Sequence, residues 1–335
     1  MIIDAHVHHL PPEVYQRFAD PALAEARSKI RGQKFAFNPR LHNVDDALRA
    51  MDFAGVEMAV LTNSQWNPAG AEFCRLVNEG VATHVAKYGD RFRALASVPV
   101  ADTEAAVREI DYAIGELKLS GLALLTSQGK ELTASDNEHM WPVYAKAVEY
   151  DVPIFWHPDL VPYGTETDCG IHRSVGRGFD ISRLILRLIY DVLPCFPTIK
   201  MVIPHSGGGF LAHKQRAVAF FQPSGDLGVP MPPELKPMPK SPLEAEKFGL
   251  QAAFEELFDR LYIDGAGSAG WAPMLKLALE VVRHDRLCFG TDFPFETHTG
   301  DDYRYYLDNV SRLEISEQDR KKFLGGNVAK LLKIG

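Results

Sequence analysis

The sequence predicts an α/β fold, a single-domain TIM (β/α)8 barrel spanning residues 1–335, on three observations. Short apolar runs alternate in order with amphipathic stretches of helical period. The runs are continuously hydrophobic rather than strictly alternating, as parallel strands covered by helices are. Histidine or aspartate stands at the end of several runs, and a barrel gathers its strand ends at one mouth, where active sites lie.

The expected strands are Ile2–His6, Val56–Thr62, Phe92–Val98, Gly121–Thr126, Pro153–His157, Ile199–Pro204, Leu261–Asp264 and Arg286–Thr291. Between them, Val44–Ala54 follows Asn43, a residue type that caps helix N-termini. Further helices are expected at Ala69–Tyr88, Thr103–Leu117, Asn137–Tyr150, Ile181–Leu193 (which stops before Pro194), Phe210–Phe221, Ala272–Val282 and Asp302–Val310. A terminal helix at Glu317–Leu324 closes the chain. Two segments exceed the bare repeat. Pro11–Asn43 is an excursion after strand 1, and Gln222–Lys247 is a proline-rich insertion after helix 6, expected to be extended and irregular.

The composition is that of a globular protein, 46% hydrophobic and 24% charged. The net charge of -8 is spread without a basic stripe, which argues against a nucleic-acid partner. Cys74, Cys169, Cys195 and Cys288 are widely spaced, which argues against a disulfide framework and for a reducing compartment. No apolar run reaches transmembrane length. Cleaving a leader would remove His6 and His8, so none is expected. The expected location is cytoplasmic.

The first run leads into Asp4-Ala5-His6-Val7-His8-His9. Alternation along a strand puts His6 and His8 on one face and His9 on the other. Two imidazoles at a strand end suit a divalent metal. His157 ends the fifth run, His205 follows the sixth in His205-Ser206-Gly207-Gly208-Gly209, and Asp292 ends the eighth in Gly290-Thr291-Asp292-Phe293-Pro294-Phe295. Alone, each has an ordinary explanation: a histidine satisfying a carbonyl, an aspartate capping a helix. In a barrel they converge on one mouth.

Together these pieces, with Trp156-His157-Pro158, resemble the amidohydrolase superfamily from Ile3 to about Ile334. The resemblance is narrower to its metal-dependent decarboxylase branch, that of the 2-amino-3-carboxymuconate-6-semialdehyde, γ-resorcylate and 5-carboxyvanillate decarboxylases. It implies that His6, His8, His157 and Asp292 are metal ligands, and that His205 and Asp292 handle protons. Many members of the superfamily hold two metals through a lysine on strand 4. The fourth run has none, and Lys118 lies at its wrong end. One cation per chain is therefore expected, Zn2+ first and Mn2+ as the alternative.

Arg40 and Arg216 resemble arginines that bind the substrate's carboxylate in this branch, the second reaching in from a neighbouring subunit. That implies a homodimer and a small carboxylate substrate. Arg173 and Arg177, after strand 5, are placed to meet a second substrate anion. The branch often reads His-Pro-Trp after strand 5, whereas this chain has His157-Pro158-Asp159, which puts the substrate in question. The glycine run after His205 suits either a close backbone approach to an anion or a tight turn of the barrel. Trp156 is expected to pack in the barrel, and Phe293 and Phe295 to wall a pocket or pack its rim. The expected reaction is decarboxylation of a small aromatic or unsaturated acid. The alternatives are hydrolysis or hydration by the same groups, or a metal-stabilised barrel that only binds.

Overall fold

The computed structural model describes residues 1–29, 37–128, 131–132, 140–159, 171, 175–221 and 250–335. The proline-rich Gln222–Lys247, part of the Pro11–Asn43 excursion, Cys169 and Arg173 lie outside the described residues. Eight parallel strands form the frame: β1 (Ile3–Val7), β2 (Met58–Leu61), β3 (Phe92–Ala94, resuming after Leu95 as Ala96–Ser97), β4 (Leu122–Leu125), β5 (Ile154–His157), β6 (Met201–Ile203), β7 (Tyr262–Asp264) and β8 (Leu287–Cys288). Each pairs with the next. β3 carries the sheet round by pairing its first part with β2 and its second with β4. The ring closes where the Ala5 N–H donates to the Phe289 carbonyl and the His8 N–H to the Phe293 carbonyl, both at 2.8 Å. A closed barrel has no strand edge to protect.

Each expected run contains or overlaps its strand, so the barrel is the one the apolar runs predict. The helices follow in register: α1 (Val44–Ala54), α2 (Ala71–Tyr88), α3 (Thr103–Ile110), α4 (Trp141–Glu149), α5 (Arg177–Arg187), α6 (Phe210–Phe221), α7 (Ala272–Val281) and α8 (Gly300–Ser311). The Asn43 side chain accepts from the Asp46 N–H, the cap expected for α1. Thr299 and Asp302 form a capping box on α8. α5 starts earlier than its expected first residue, Ile181, because its opening turn is polar and carries no apolar period. A helix at Leu250–Phe258, unassigned by the apolar periods, places Phe254 and Phe258 in the core ahead of β7. Among the described residues no helix is long and apolar enough to cross a membrane.

Two apolar layers result. Inside the barrel, Ile3, Ala5, Met58, Val60, Leu95 and Phe155 pack with Val202, Tyr262 and Cys288. Val328 and Leu331 of the C-terminal helix (Asn327–Leu331) join them and plug the end at which the strands begin. The second layer lies between strands and helices and includes Trp156, whose Nε1 faces Met201 Sδ at 3.2 Å. Lys118 precedes β4 and donates to the Gly115 carbonyl, away from the mouth. With the lower end filled by hydrocarbon, polar groups are left to the other.

The seam between β1 and β8 is held by a buried carboxylate. Asp4 accepts from the His6 and Thr291 N–H groups (both 3.1 Å), from the Thr291 hydroxyl and from the Tyr303 hydroxyl of α8 at 2.6 Å. Burial pushes Asp4 up to about 6 against the opposing pull of Thr291 and Tyr303, so it is ionised at neutral pH. Replacing Tyr303 by Phe keeps the ring and removes one charge-assisted bond. The expected loss is ~1.5–3 kcal/mol, read as a lower melting temperature. An unchanged melt would show that the seam does not depend on this contact.

Candidate metal centre and active site

β1 does not alternate regularly to its end. Ile3 and Ala5 face the barrel interior and Asp4 faces the seam, but pairing with β2 shifts register between Asp4 and Val7. Val7 then packs in the outer layer. A local irregularity of this kind re-aims side chains, and here it turns His6 and His8 inward together. His9 points the other way, as expected, and packs against His84 with ring centroids 4.6 Å apart. On β5, Phe155 faces inward, and alternation brings His157 inward with it while Trp156 points out.

One ligand atom from each of His6, His8, His157 and Asp292 lies within 4.8 Å of all the others, and all four residues are buried. His6 Nε2 and His8 Nε2 are 3.2 Å apart, and His8 Nε2 is 3.0 Å from Asp292 Oδ1. The far side of each imidazole is committed. Nδ1 of His8 lies 3.0 Å from the Thr62 carbonyl, and Nδ1 of His157 lies 2.8 Å from the Pro158 carbonyl. Carbonyls only accept, so these nitrogens carry the protons and the facing Nε2 atoms present lone pairs. His6 Nδ1 lies 2.8 Å from Asp264 Oδ2, the carboxylate–imidazole pairing typical of metal-binding histidines.

Electrostatics sharpen the arrangement. Burial pushes His8 down, and burial with the neighbouring imidazoles pushes His157 far down, so both rings are neutral. Burial opposes charge on His6 as well, but Asp264 and Asp292 raise it to about 9. Burial would raise Asp292, yet His8, His205 and His6 hold it far below the usual carboxylate range. Asp292 Oδ1 is buried with no hydrogen-bond partner although a bare imidazole nitrogen stands beside it. Two lone pairs in contact away from water repel unless a cation lies between them. The donor set therefore fits one divalent cation.

His205 stands outside this set. Its Nε2 is buried without a hydrogen-bond partner, 3.7 Å from Asp292 Oδ2. Burial pushes its ring down to about 4, mainly against the pull of Asp292. Its backbone is left-handed at φ 53°, as are Ser206 at 51° and Asp292 at 53°. Side chains rarely adopt such conformations, and they persist where surrounding contacts over-determine them. For His205 one such contact is its own N–H, which donates to Asp264 Oδ1 at 2.9 Å. Gly267 permits the close packing: at φ +84°, a Cβ there would fall 2.4 Å from His205 Cβ. Gly208 plays a comparable part toward α5, where a Cβ would come within 2.7 Å of Ile181 Cβ. The tight turn thus accounts for that glycine, which also lines the cavity.

A cavity of about 730 Å³ opens beside His205, walled in part by Arg177, Phe179, Trp271 and Glu296. Arg177 is thus at the mouth, as expected of the segment after β5. Arg40 is elsewhere. Its guanidinium meets His298 Nδ1 at 3.1 Å and donates to the His298 carbonyl at 3.0 Å, in a separate cavity of about 410 Å³ with Arg49 and Phe293. Arg216 is exposed on α6. Phe293 is a core residue against Tyr303, and the Phe295 ring lies 5.5 Å from that of His8.

Asp264 is the residue the strand pattern alone did not single out, although it ends β7 as His157 ends β5. Inward Tyr262 and alternation put its side chain in the mouth, which was the available signal.

Comparison with known proteins identifies the group. The amidohydrolase family model matches residues 3–334, and the chain belongs to that family. It is 29% identical to the decarboxylase orsB of Emericella nidulans over 76% of this chain and 75% of that protein. It is 28% identical to a γ-resorcylate decarboxylase of Polaromonas sp. over 88% and 89%. The fold is shared with a 5-carboxyvanillate decarboxylase of Novosphingobium aromaticivorans, solved with manganese and 4-hydroxy-3-methoxy-5-nitrobenzoic acid. That likeness has a TM-score of 0.77 at 22% identity and covers 100% of this chain and 96% of that one.

Asp264→Asn tests the metal centre. It preserves shape but removes the charge that orients His6, so metal affinity should fall ~10–100-fold in a chelator competition while the metal-free melting temperature changes little. Unchanged affinity would remove Asp264 from the centre.

Proposed function

We propose that this protein is a metal-dependent decarboxylase of a small aromatic or unsaturated carboxylic acid, with one divalent cation per chain held by His6, His8, His157 and Asp292. The observation that carries this reading is the His205 Nε2 atom, buried, unpartnered and facing both Asp292 and a cavity sized for a small acid. The relatives named above support carbon–carbon cleavage over hydrolysis or hydration, which the same groups would otherwise serve. Three imidazoles suit Zn2+, the first expectation. Mn2+ is the alternative, the metal present with the 5-carboxyvanillate decarboxylase.

When bound, the cation supplies Lewis-acid polarisation of a substrate oxygen. The remaining steps belong to side chains. His205 Nε2, or Asp292 through Oδ2, takes up a proton from water in the cavity and passes it to the carbon bearing the carboxylate. The bond to that carboxyl group then breaks, its electron pair returns to the unsaturated system, and CO₂ leaves. Asp264 keeps His205 in its left-handed turn throughout.

The test is CO₂ release from a panel of hydroxybenzoic and unsaturated dicarboxylic acids, with mass spectrometry separating decarboxylated from hydrated or ring-opened products. His205→Ala should keep its metal and lose ~10²–10⁴-fold in kcat. His157→Ala should lose metal and activity together. If His205→Ala loses metal as fully as His157→Ala, His205 is a ligand and its proposed role falls.

Arg40 and Arg216 are proposed to meet the substrate's carboxylate, Arg40 after exchanging His298 for it and Arg216 from a neighbouring copy in a homodimer. Arg216 supports this by being exposed one helical turn beyond His213, which lines the cavity. A bidentate contact contributes ~1.5–3 kcal/mol, so Arg216→Ala should raise KM more than about tenfold. Co-expression of Arg216→Ala with His205→Ala chains should restore activity, because one site of the heterodimer then has both groups. No recovery in folded, dimeric heterodimers would place Arg216 outside the site.

A further inference from the structure

One carboxyl at the cavity takes no part in the steps above. Glu296 follows Asp292 in Asp292-Phe293-Pro294-Phe295-Glu296 and lines the same cavity as His205. Its carboxyl lies beside the backbone of Ala269 and Gly267, in the loop after β7 that also packs against His205. Its Oε2 is buried and has no hydrogen-bond partner. Two residues that each carry an unsatisfied polar atom, His205 with Nε2 and Glu296 with Oε2, therefore line one cavity. Phe179 and Trp271 on its wall are large apolar side chains, 59% and 58% exposed. A flat ring with a polar edge matches such a lining.

We propose that Glu296 is a specificity-determining residue: its Oε2 accepts a hydrogen bond from a ring hydroxyl of the substrate, so that the protein selects hydroxylated aromatic monocarboxylic acids over acids carrying a second carboxylate. The proposal deepens the decarboxylase reading and rests on it for turnover. An ionised carboxyl only accepts, and a hydroxyl is the neutral donor that satisfies it. A second carboxylate would set like charges against each other in a space shielded from water. A site built to bond a hydroxyl discriminates strongly against the analogue lacking it, because its own polar group is then stranded.

The experiment uses metal-loaded protein, wild type and the variants Glu296→Gln and Glu296→Leu. The probes are salicylic acid, its dihydroxybenzoic isomers and a hydroxybenzoic acid with a second ring carboxylate. Binding is measured by calorimetry and turnover by CO₂ release. Wild type should prefer at least one dihydroxy isomer to salicylic acid by more than ~10-fold. Glu296→Leu should lose that preference, its loss on the dihydroxy acid exceeding its loss on salicylic acid by about the same factor. Glu296→Gln keeps a neutral acceptor, so it should retain most of the hydroxyl preference and bind the dicarboxylate better than wild type does. Equal losses on both monocarboxylic acids, no hydroxyl preference in wild type, or no gain for the dicarboxylate in Glu296→Gln would each overturn the proposal. The glutamine arm decides if the leucine variant does not fold. A binding preference erased in Glu296→Leu without CO₂ from any acid would keep the Glu296 assignment and remove the decarboxylase reading. CO₂ release with preferences unchanged in both variants would do the reverse.

Discussion

Barrel closure at the β1–β8 seam is the constraint on which the site depends. β1 brings two imidazoles and the segment after β8 brings Asp292, yet these strands are the first and last of the barrel. Nothing local in the chain joins them. The Asp4 carboxylate, bonded to both strands and to α8, holds them in register where metal ligands must agree to a fraction of an ångström. A buried carboxylate is costly unless its oxygens are satisfied. Here the two backbone groups that satisfy Asp4 adjoin the ligands, being the N–H groups of His6 and Thr291. Securing the seam and aiming the ligands are one set of contacts.

A second carboxylate, Asp264, does for the interior of the mouth what Asp4 does for its wall. One oxygen orients the His6 ring, and the other takes the backbone N–H groups of His205 and Ala266. His6 belongs to the buried donor set, while His205 is the residue proposed to move the proton. One carboxyl thereby fixes the His6 ring and the His205 backbone relative to each other. The left-handed backbone at His205 and Asp292 costs about 1–3 kcal/mol per residue. The same conformations turn both side chains off the strand direction and into the shared space.

The barrel was legible because its signals are local and repeated: eight apolar runs, cap residues such as Asn43, and helix periods. The donor set was legible because each member stands at or just past the end of an apolar run, and a barrel converts strand ends into neighbours. What escaped depended on tertiary detail. Strict alternation counted from Ile3 would send His6 and His8 outward with Asp4, and only the register shift against β2, invisible in one strand's sequence, turns the pair inward. Asp264 ends its strand as the ligands do, but nothing in Tyr262-Ile263-Asp264 announces that a carboxylate will support histidines on two other strands. Helix Leu250–Phe258 escaped because it borders the proline-rich segment, where composition masks its period. The contact of the Arg40 guanidinium with His298, in a neighbouring cavity, joins residues far apart in sequence and could not be read from them.

The division between what strands hold and what loops hold explains why reaction class and substrate separate in this protein. The cation ligands and His205 stand on or directly after strands whose inner layer is filled by apolar side chains, so their geometry is set by core packing. Arg177, Phe179, Trp271 and Glu296 stand on helix starts and connecting turns around the mouth, where sequence changes leave that packing untouched. Such a frame tolerates replacement of its rim while the metal chemistry persists. The departure at His157-Pro158-Asp159 fits this division. It falls two residues past the ligand, where the strand has ended, and His157 keeps its place because its orientation comes from the Pro158 carbonyl rather than from the side chains that follow. A backbone contact of this kind makes the placing of His157 independent of the side chains that follow it, and leaves the rim free to take its selectivity from side chains such as Glu296.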